Sequence, residues 1–165
     1  MLTGRNIFLR KLQVFDTRTI LKWENNPTNW SISGTKKPFS EEEIIAFTAG
    51  EQNLIKNNQL RYIICLNTSK DSIGTIDLFE YDKGSKKVGI GVLIAESKER
   101  RKGFAIEALI LLINYCKNEL QLNTIFCNID KENIASIRLF EKCNFSFIEE
   151  QLLFENKVNY YELVL

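Results

Sequence analysis

The chain has 165 residues and a formal net charge of +1, and 44% of its residues are hydrophobic. This length suits a single domain spanning 1–165 with one sizeable core. The near-neutral charge argues against a general nucleic-acid binder or a membrane-surface binder. The longest apolar stretch, FAIEALILLI, is about half as long as a membrane span, and the N-terminus lacks the continuous apolar core of a signal peptide.

The cysteines and the absence of histidine limit the available chemistry. Cys65, Cys116, Cys127 and Cys143 form no C-x-x-C pair, and the chain contains no histidine. Without a secretion signal, we expect reduced, largely buried thiols rather than disulfides or zinc ligands. The lack of histidine removes the commonest metal ligand and the usual base at neutral pH. We therefore expect no bound metal and a cytoplasmic location.

The first third of the chain predicts a strand followed by two helices. NIFLRKL alternates as a strand does, and Asp16 is placed to cap a short helix that runs to Trp23. In SEEEIIAF, Ser40 and Glu43 have the spacing of a capping box, which predicts the start of a second helix.

The remainder predicts a sheet with two further helices. LRYIICL, SIGTIDLFEY and KVGIGVLIA are typical of antiparallel strands separated by the turns NTSKD and YDKGSK. A long helix from about Gly103 to Leu120, the strand NTIFCNI, the helix NIASIRLFEKC and a terminal hairpin turning at Asn156–Lys157 follow. The order predicts an α+β fold of three layers, in which helices cover both faces of a curved, mixed, mainly antiparallel sheet of about seven strands. Regular βαβ repetition is absent, so a doubly wound nucleotide-binding fold fits less well.

The segment ESKERRKGFAIEAL concentrates positive charge where the long helix begins. Arg100, Arg101 and Lys102 precede Gly103 at the helix entrance. These cations are either solvated or part of an anion site. Cations oppose the helix dipole at an N-terminus, and a bound polyanion would account for them. Gly103 would let a phosphate approach the backbone.

Two other phosphate-binding motifs fit poorly. The segment ERRKGFA has neither the upstream glycine nor the Lys-Ser/Thr pair of a Walker motif. The GIG sequence at Gly89–Gly91 lies inside a predicted strand and lacks the third glycine of a dinucleotide fingerprint. A bulge or a close backbone approach explains it better.

Several motifs carry a family resemblance. RRKGFA resembles the R/Q-x-x-G-x-G/A signature of the GCN5-related N-acetyltransferases (GNAT), and IGVLIA, EAL and ENIASIRLFEKCNF resemble the rest of their acetyl-CoA region. IFLRKLQVFDTRTILKWENNP and VNYYELVL are similar to the branch containing ribosomal-protein N-terminal, spermidine and amino-sugar acetyltransferases. The resemblance covers essentially the whole chain, and it specifies the superfamily rather than the substrate.

The resemblance implies direct transfer of an acetyl group from acetyl-CoA to a primary amine in a ternary complex. It implies that the pantetheine arm binds the backbone of Leu93, Ile94 and Ala95, and that the pyrophosphate binds the amides of Arg100, Arg101, Lys102, Gly103, Phe104 and Ala105. Asn133 would bind the arm, cap the following helix, or do both. The acceptor would be a small molecule or an N-terminal peptide, and a homodimer is compatible with the family. The alternative function is a non-catalytic acyl-CoA-binding or sensor domain.

The chain also departs from the family pattern. Asn144 replaces a glycine after the last helix, where asparagine tolerates the left-handed conformation. Phe140 stands where many members have the tyrosine thought to protonate the departing thiolate. Tyr160 and Tyr161 are other possible donors.

The base and the acceptor pocket follow from the remaining polar and aromatic residues. Without histidine, the base must be a carboxylate or water. Glu80, at the end of a strand, is the first choice, with Asp77, Glu149 and Glu150 as alternatives. Four aromatic residues of the N-terminal helical region line an acceptor pocket or pack in the core: Trp23, Trp30, Phe39 and Phe47.

Overall fold

The structure, a computed structural model, describes residues 1–153 and 156–165. The strands in this part are β1 Leu2–Thr3, β2 Ile7–Lys11, β3 Gln59–Leu66, β4 Ser72–Asp82, β5 Lys87–Ile94, β6 Thr124–Asp130, β7 Ser146–Leu153 and β8 Asn156–Val164. The α-helices are α1 Thr17–Glu24, α2 Pro27–Ser33, α3 Glu41–Ala49, α4 Leu54–Asn57, α5 Phe104–Asn118 and α6 Ile134–Lys142. Short 3₁₀ turns precede α1 at Val14–Asp16 and α5 at Ser97–Glu99.

The strands form one mixed sheet, as the sequence predicts. Their order is β1-β2-β3-β4-β5-β6-β8-β7, and the β5–β6 pair is parallel while the other pairs are antiparallel. The described residues form eight strands rather than about seven, because the two residues of β1 pair with β2.

Helices cover both faces of the sheet. Side chains alternate between the faces along a strand. On β3, Ile64 packs into the core shared with α5 and α6, whereas Ile63 and Cys65 pack against α1 and α3. This alternation confirms the predicted three-layer arrangement.

The N-terminal region contains four helices rather than two. Asn26 caps α2 by accepting a hydrogen bond from Thr28 N at 3.1 Å, and Pro27 fits the first turn. Asn53 likewise caps the single turn of α4. Both short helices therefore start at an asparagine cap in a stretch that lacks a long apolar period, which is why periodicity alone did not predict them.

The predicted caps differ in outcome. Ser40 and Glu43 form the capping box of α3: Ser40 Oγ accepts from Glu43 N at 3.1 Å, and Glu43 Oε2 accepts from Ser40 N at 2.7 Å. The prediction for Asp16 was only partly right. Asp16 occupies the N-cap position of α1, but its side chain makes no capping bond there. Instead the carboxylate pairs with Arg10 at 2.7 Å and accepts from Gln13 N, which holds β2 against the 3₁₀ turn that follows it.

An aromatic ring packed on the strand, rather than the predicted bulge or close backbone approach, explains the first glycine of the GIG sequence. A Cβ built on Gly89 would lie 2.3 Å from the ring of Phe79 on β4. Asn144 adopts a positive φ of 66° after α6, as predicted. The turn predicted at Asn156–Lys157 was wrong, because these residues pair with Leu153 and Leu152 in the hairpin. The two residues between the paired strands lie outside the described part of the chain.

The four cysteines are free and buried, as the sequence suggests. Burial raises the pKa of the Cys116 thiol to about 12, so this thiol stays protonated at neutral pH. In the described ranges, no helix is long and apolar enough to cross a membrane.

Candidate active site

The sheet opens between β5 and β6. These strands pair only from Lys87 to Gly89 on β5, with Thr124 to Phe126 on β6. Beyond Gly89, β5 continues to pair with β4 alone. The far half of β5 therefore presents one edge of its backbone to a gap in the sheet.

The register of β4 and β5 determines which backbone groups face this gap. Ala95 N donates to Ile73 O on the β4 side at 2.9 Å. A Cβ built on Gly74 of β4 would lie 2.0 Å from Leu93 O, so that carbonyl also points toward β4. Because backbone direction alternates along a strand, the groups of Val92 and Ile94 face the gap.

The predicted β5 residues must therefore be revised. Ile94 faces the gap, but Leu93 and Ala95 face β4, and their side chains pack in the core under α1 and α3. Val92 is the residue that was missed. The alternation of backbone direction along a strand identifies Val92 only when the pairing register of β4 and β5 is known.

The turn between β5 and α5 exposes backbone amides. Arg101 and Gly103 have positive φ values of 61° and 85°. No side chain caps α5, so the N–H groups of Phe104 and Ala105 have no partner within the helix. A Cβ built on Gly103 would meet no atom within 4 Å, so the space in front of these amides is open. The positive end of the α5 dipole faces this space.

The three cations before Gly103 have different surroundings. Arg100 turns inward: its Nε donates to Ile94 O at 2.8 Å, and its Nη2 donates to Asn29 Oδ1 at 2.6 Å. Its amide is also used, by Ser97 O at 3.2 Å. Lys102 pairs with Glu99 at 2.9 Å. Arg100 is thus a structural clamp, whereas the side chain of Arg101 forms no hydrogen bond within the described residues.

A cavity of about 560 Å³ lies in front of this turn and is called the β5–α5 cavity here. Its lining includes Arg101, Gly103, Phe104, Ala105, Val92, Ile94 and Asn133, but not Lys102. Two further cations, Arg138 and Lys142, line it from α6. Sequence reasoning missed this pair, although the spacing of four residues places both on one helix face.

Asn133 lies at the start of α6, on the wall of the β5–α5 cavity. Its Oδ1 accepts a hydrogen bond from Ser136 N at 3.1 Å, which confirms the predicted cap. This bond uses the side-chain oxygen and leaves the amide N–H groups to donate elsewhere. The cap and a contact with a ligand are therefore compatible.

A second cavity, of about 520 Å³, lies on the other face of the sheet and is called the α1–α3 cavity. Arg61 on β3 lies in its wall between two carboxylates. The Arg61 Nη1 donates to Glu24 Oε1 at 2.7 Å, and Nε and Nη2 donate to the two oxygens of Asp77 at 2.7 and 2.8 Å. Burial lowers the pKa of Arg61, but the two carboxylates outweigh it and raise that pKa overall.

The charge of the α1–α3 cavity is negative. Glu24 and Asp77 carry two charges against the one of Arg61, and Glu43 adds a further carboxylate to the lining. Asp77 has both oxygens held by Arg61, whereas Glu24 Oε2 makes no hydrogen bond within the described residues. The cavity can therefore accept a cation, and Glu24 and Glu43 each have one carboxylate oxygen without a hydrogen bond among the described residues.

The predicted base and its alternatives lie in different places. Glu80 is exposed in a bulge of β4, with a positive φ of 50°, and it lines none of the cavities described here. Glu149 and Glu150 are exposed on β7, and Glu150 pairs with Lys131. Asp77 is the one predicted carboxylate that reaches a cavity.

The aromatic residues also divide between cavity and core. Phe39 and Phe47 line the α1–α3 cavity, and the Arg61 guanidinium lies 4.9 Å from the centre of the Phe47 ring. Trp23 is buried and donates to Glu96 Oε1 at 2.8 Å. Trp30 donates to Glu24 O at 2.7 Å, which helps to hold α1 and α2 together.

A third cavity, of about 390 Å³, joins the other two and is called the connecting cavity. Val92 and Ile32 line all three cavities. Phe140 lines the connecting cavity and packs edge-on against Phe145 at 5.1 Å between ring centres. Tyr160 lies outside the three cavities, and its hydroxyl donates to Glu162 at 2.7 Å. The connecting cavity thus shares walls with both other cavities, beside the part of β5 that faces the gap.

Comparisons with known proteins agree with this geometry. The sequence matches the acetyltransferase (GNAT) domain family over residues 6–146. It is 23% identical to the probable N-acetyltransferase YjcK of Bacillus subtilis over 158 residues, which are 88% of this chain and 83% of that protein. It is 34% identical to the mouse alpha/beta-tubulin-N-acetyltransferase 9 over 84 residues, which are 50% of this chain and 35% of that protein.

A solved structure shares the fold over nearly its whole length. Spermidine N-acetyltransferase from Vibrio cholerae, in complex with CoA and spermine, superposes with a TM-score of 0.85 at 22% identity, covering 96% of this chain and 95% of that one. None of these matches supports the alternative of a non-catalytic module. The chain belongs to the GNAT acetyltransferase family and is an enzyme that transfers an acetyl group from acetyl-CoA to an amine.

Proposed function

We propose that the acceptor is a small cationic amine of the polyamine type. The observation that carries this proposal is the excess of carboxylates over guanidinium in the wall of the α1–α3 cavity. Partly buried carboxylates attract a cation more strongly than exposed ones because less water screens them. The named activity of the spermidine N-acetyltransferase from Vibrio cholerae supports the same substrate class.

Acetyl-CoA is proposed to occupy the β5–α5 cavity. Its pyrophosphate would bind the amides at the α5 entrance, where Arg101, Lys102, Gly103, Phe104 and Ala105 supply N–H groups and the helix dipole favours an anion. The cations Arg101, Arg138 and Lys142 line the same cavity and would screen the phosphate charges.

The pantetheine arm would then cross the gap in the sheet. In this proposal it hydrogen-bonds to the free backbone groups of Val92, to the N–H of Ile94 and to the side-chain amide of Asn133, because Ile94 O already accepts from Arg100. Because Val92 also lines the other two cavities, the thioester would reach the place where the acceptor can meet it.

The proposed chemistry is a direct attack. The neutral amine nitrogen forms a bond to the thioester carbonyl carbon, the C–S bond breaks, its electron pair leaves with sulfur as a thiolate, and the nitrogen releases one proton to water to give the amide. An alkyl thiol has a pKa of about 8.5 in a model peptide, so the thiolate is a fair leaving group and water can protonate it. The missing tyrosine hydroxyl at Phe140 is therefore not essential.

The substrate ammonium must lose a proton before it attacks. We propose Glu24 as the carboxylate that accepts this proton, directly or through water, in place of Glu80. Glu24 lines the cavity and has one oxygen outside the Arg61 ion pair, whereas Glu80 points to solvent outside the cavities.

A panel of acceptors tests the substrate class. Release of free thiol from acetyl-CoA is measured with spermidine, propylamine, glucosamine and a seryl peptide. We expect kcat/KM for spermidine to exceed that for propylamine by about tenfold or more, because the second ammonium binds the acidic wall. A preference for the peptide would instead identify an N-terminal acetyltransferase.

A matched pair of variants tests the wall itself. Glu24→Gln should reduce the preference for spermidine over propylamine. Glu41→Gln, on the exposed first turn of α3 and outside the cavity lining, should leave it unchanged. An unchanged preference in Glu24→Gln would refute the role of this carboxylate.

The working state of the protein is a separate proposal. We propose a single-domain enzyme of the cytoplasm, where a reducing environment suits four free cysteines. We also propose a homodimer that uses β7, which is the last strand of the sheet and exposes Phe147, Ile148 and Leu152. Light scattering after gel filtration should give the mass of two chains, and Ile148→Lys should give the mass of one. A monomeric parent would refute the dimer.

A further inference from the structure

Asn128 lies on β6 just beyond the last residue that pairs with β5. That last pair is Gly89 with Phe126, and side chains two residues apart share a face, so Asn128 follows Phe126 on the side of the α1–α3 cavity. Asn128 lines both the α1–α3 cavity and the connecting cavity, and continuation of the β5–β6 register places it level with Gly91 on β5. It therefore stands at the crossing of the proposed cofactor and acceptor paths.

The side-chain amide of Asn128 has no hydrogen-bond partner among residues 1–153 and 156–165. Its Oδ1 is buried and unbonded, and the amide nitrogen also forms no hydrogen bond within the described residues. An amide oxygen taken out of water without a replacement hydrogen bond destabilises the folded state. A partner from outside the chain would account for it.

The reacting amine has the chemistry of that partner. We propose that Asn128 Oδ1 accepts a hydrogen bond from an N–H of the acceptor amine and so aims its lone pair at the thioester carbon. This inference rests on the proposed function of the same site. Asn128 takes no proton: the nitrogen lone pair forms the C–N bond, the C–S electron pair leaves with sulfur, and the displaced proton goes to a carboxylate or water.

The effect of this contact falls on the chemical step. As the nitrogen attacks, it gains positive charge, and its N–H becomes a stronger donor to a neutral amide oxygen. The hydrogen bond is thus stronger in the transition state than with the bound substrate. An interaction of this kind raises kcat more than it lowers KM.

Asn128→Leu tests the proposal with a side chain of similar size that cannot accept a hydrogen bond. We expect kcat to fall at least tenfold, with the dissociation constant for CoA unchanged and a melting temperature no lower than that of the parent. Asn123→Leu is the matched control, because Asn123 is exposed just before the same strand and lies outside the three cavities. It should keep the parental kcat.

Asn128→Asp separates the acceptor oxygen from the donor nitrogen. This variant retains an acceptor, so its kcat should exceed that of Asn128→Leu above the pH at which the substrate ammonium deprotonates. Its added negative charge stabilises the ammonium, so its pH–rate profile should shift to higher pH.

The outcomes are distinct. A parent protein that transfers acetyl to no amine refutes the proposed function and the inference with it. An active parent with unchanged kcat in Asn128→Leu refutes the inference alone, as does a melting temperature that falls in parallel with activity. Equal losses in the leucine and aspartate variants at every pH would assign the role to the amide N–H and overturn the acceptor contact.

Discussion

The β5–α5 cavity and the α1–α3 cavity are built in different ways. The first relies mainly on backbone groups of one continuous segment, from Val92 on β5 to Ala105 on α5, with side chains added from the region of α6. The second uses side chains from distant parts of the chain, such as Glu24, Arg61 and Asp77. Backbone amides present the same chemistry whatever the residue, so the first surface tolerates sequence change. The second changes its charge with any one substitution.

In the proposed function, this difference places acceptor specificity in the α1–α3 cavity. A cofactor shared by a whole family needs one recognition surface that is constant, while acceptors differ among members. Arg61 holds the two carboxylates in place and also neutralises part of their charge. In the proposed function the acidic wall binds the acceptor. If Arg61 were removed, the two carboxylates would repel each other and destabilise the fold.

Arg61→Met is expected to have the largest effect, because it removes the cation that lies between the two carboxylates. Glu24 and Asp77 would face each other without their countercharge, and unpaired charges in a partly buried site are costly. We expect the free energy of unfolding to fall by about 3 kcal/mol in urea titrations at neutral pH. Lys56→Met is the control, since its ion pair with Glu51 is exposed and should contribute little. A loss no larger than in the control would show that the wall does not depend on Arg61.

Gly103→Asp tests the backbone surface. A carboxylate in front of the α5 amides would repel the pyrophosphate, and the positive φ of 85° adds strain. We expect CoA to bind about thirtyfold more weakly by calorimetry, which is about 2 kcal/mol. Gly103→Asn tolerates a positive φ and carries no charge, so it should lose less. Unchanged affinity in both variants would remove the phosphate from this turn.

Asn133 distinguishes a cap from a ligand contact at the border of the two regions. Asn133→Ala should lower the free energy of unfolding by about 1 kcal/mol, because α6 loses its cap, whereas Asn133→Asp should keep the cap. Both variants should bind CoA more weakly, since neither can donate from this position. Parental affinity in Asn133→Asp would leave Asn133 as a cap alone.

The hydrogen bond from Trp23 on α1 to Glu96, which follows β5, gives a pH-dependent test. This bond, opposed by burial and helped by Lys22, lowers the pKa of Glu96 below its ordinary value of 4.5. A carboxyl with a lowered pKa stabilises the folded state above that ordinary value, and its contribution is lost as the pH falls through the lowered pKa. Trp23→Phe should therefore cost more at pH 7 than at an acidic pH below the lowered pKa, as measured by chemical denaturation. An equal cost at both values would show that only packing was lost.

Phe140→Tyr should have the smallest effect. Phe140 is 4% exposed and packs edge-on against Phe145, so the surrounding side chains fit an apolar ring. We expect kcat to change by less than about tenfold, because water can protonate the thiolate. A hundredfold rise would show that the absent phenol limits the enzyme.

The sequence predicts those features that depend on local rules. The Ser40 capping box, the Asn133 cap and the left-handed Asn144 follow from a few neighbouring residues, and the structure shows each of them. The entrance of α5 was recognised in the same way, from a glycine among cations.

Features that depend on pairing register or on distant side chains were missed. Backbone groups alternate in direction along β5, so either Leu93 or Val92 faces the gap. Only the register of the pairing with β4 decides which of them does. Glu80 lies in a bulge that turns it away, and no local signal marks that irregularity. Glu24 becomes part of a site only because Arg61, far along the chain, meets it.

Only three residue pairs join β5 to β6, so the described part of the sheet can flex between these two strands. Five of its strands lie on one side of this connection and three on the other. A pantetheine arm lying along the open half of β5 would add hydrogen bonds where β5 has no partner on that side, and the connection between the two parts of the sheet would become more rigid. Amide hydrogen exchange at Val92 and Ile94 should then slow when CoA is added, and with it the opening of β6, β8 and β7. Cofactor loading would thus order the acceptor side before an amine arrives.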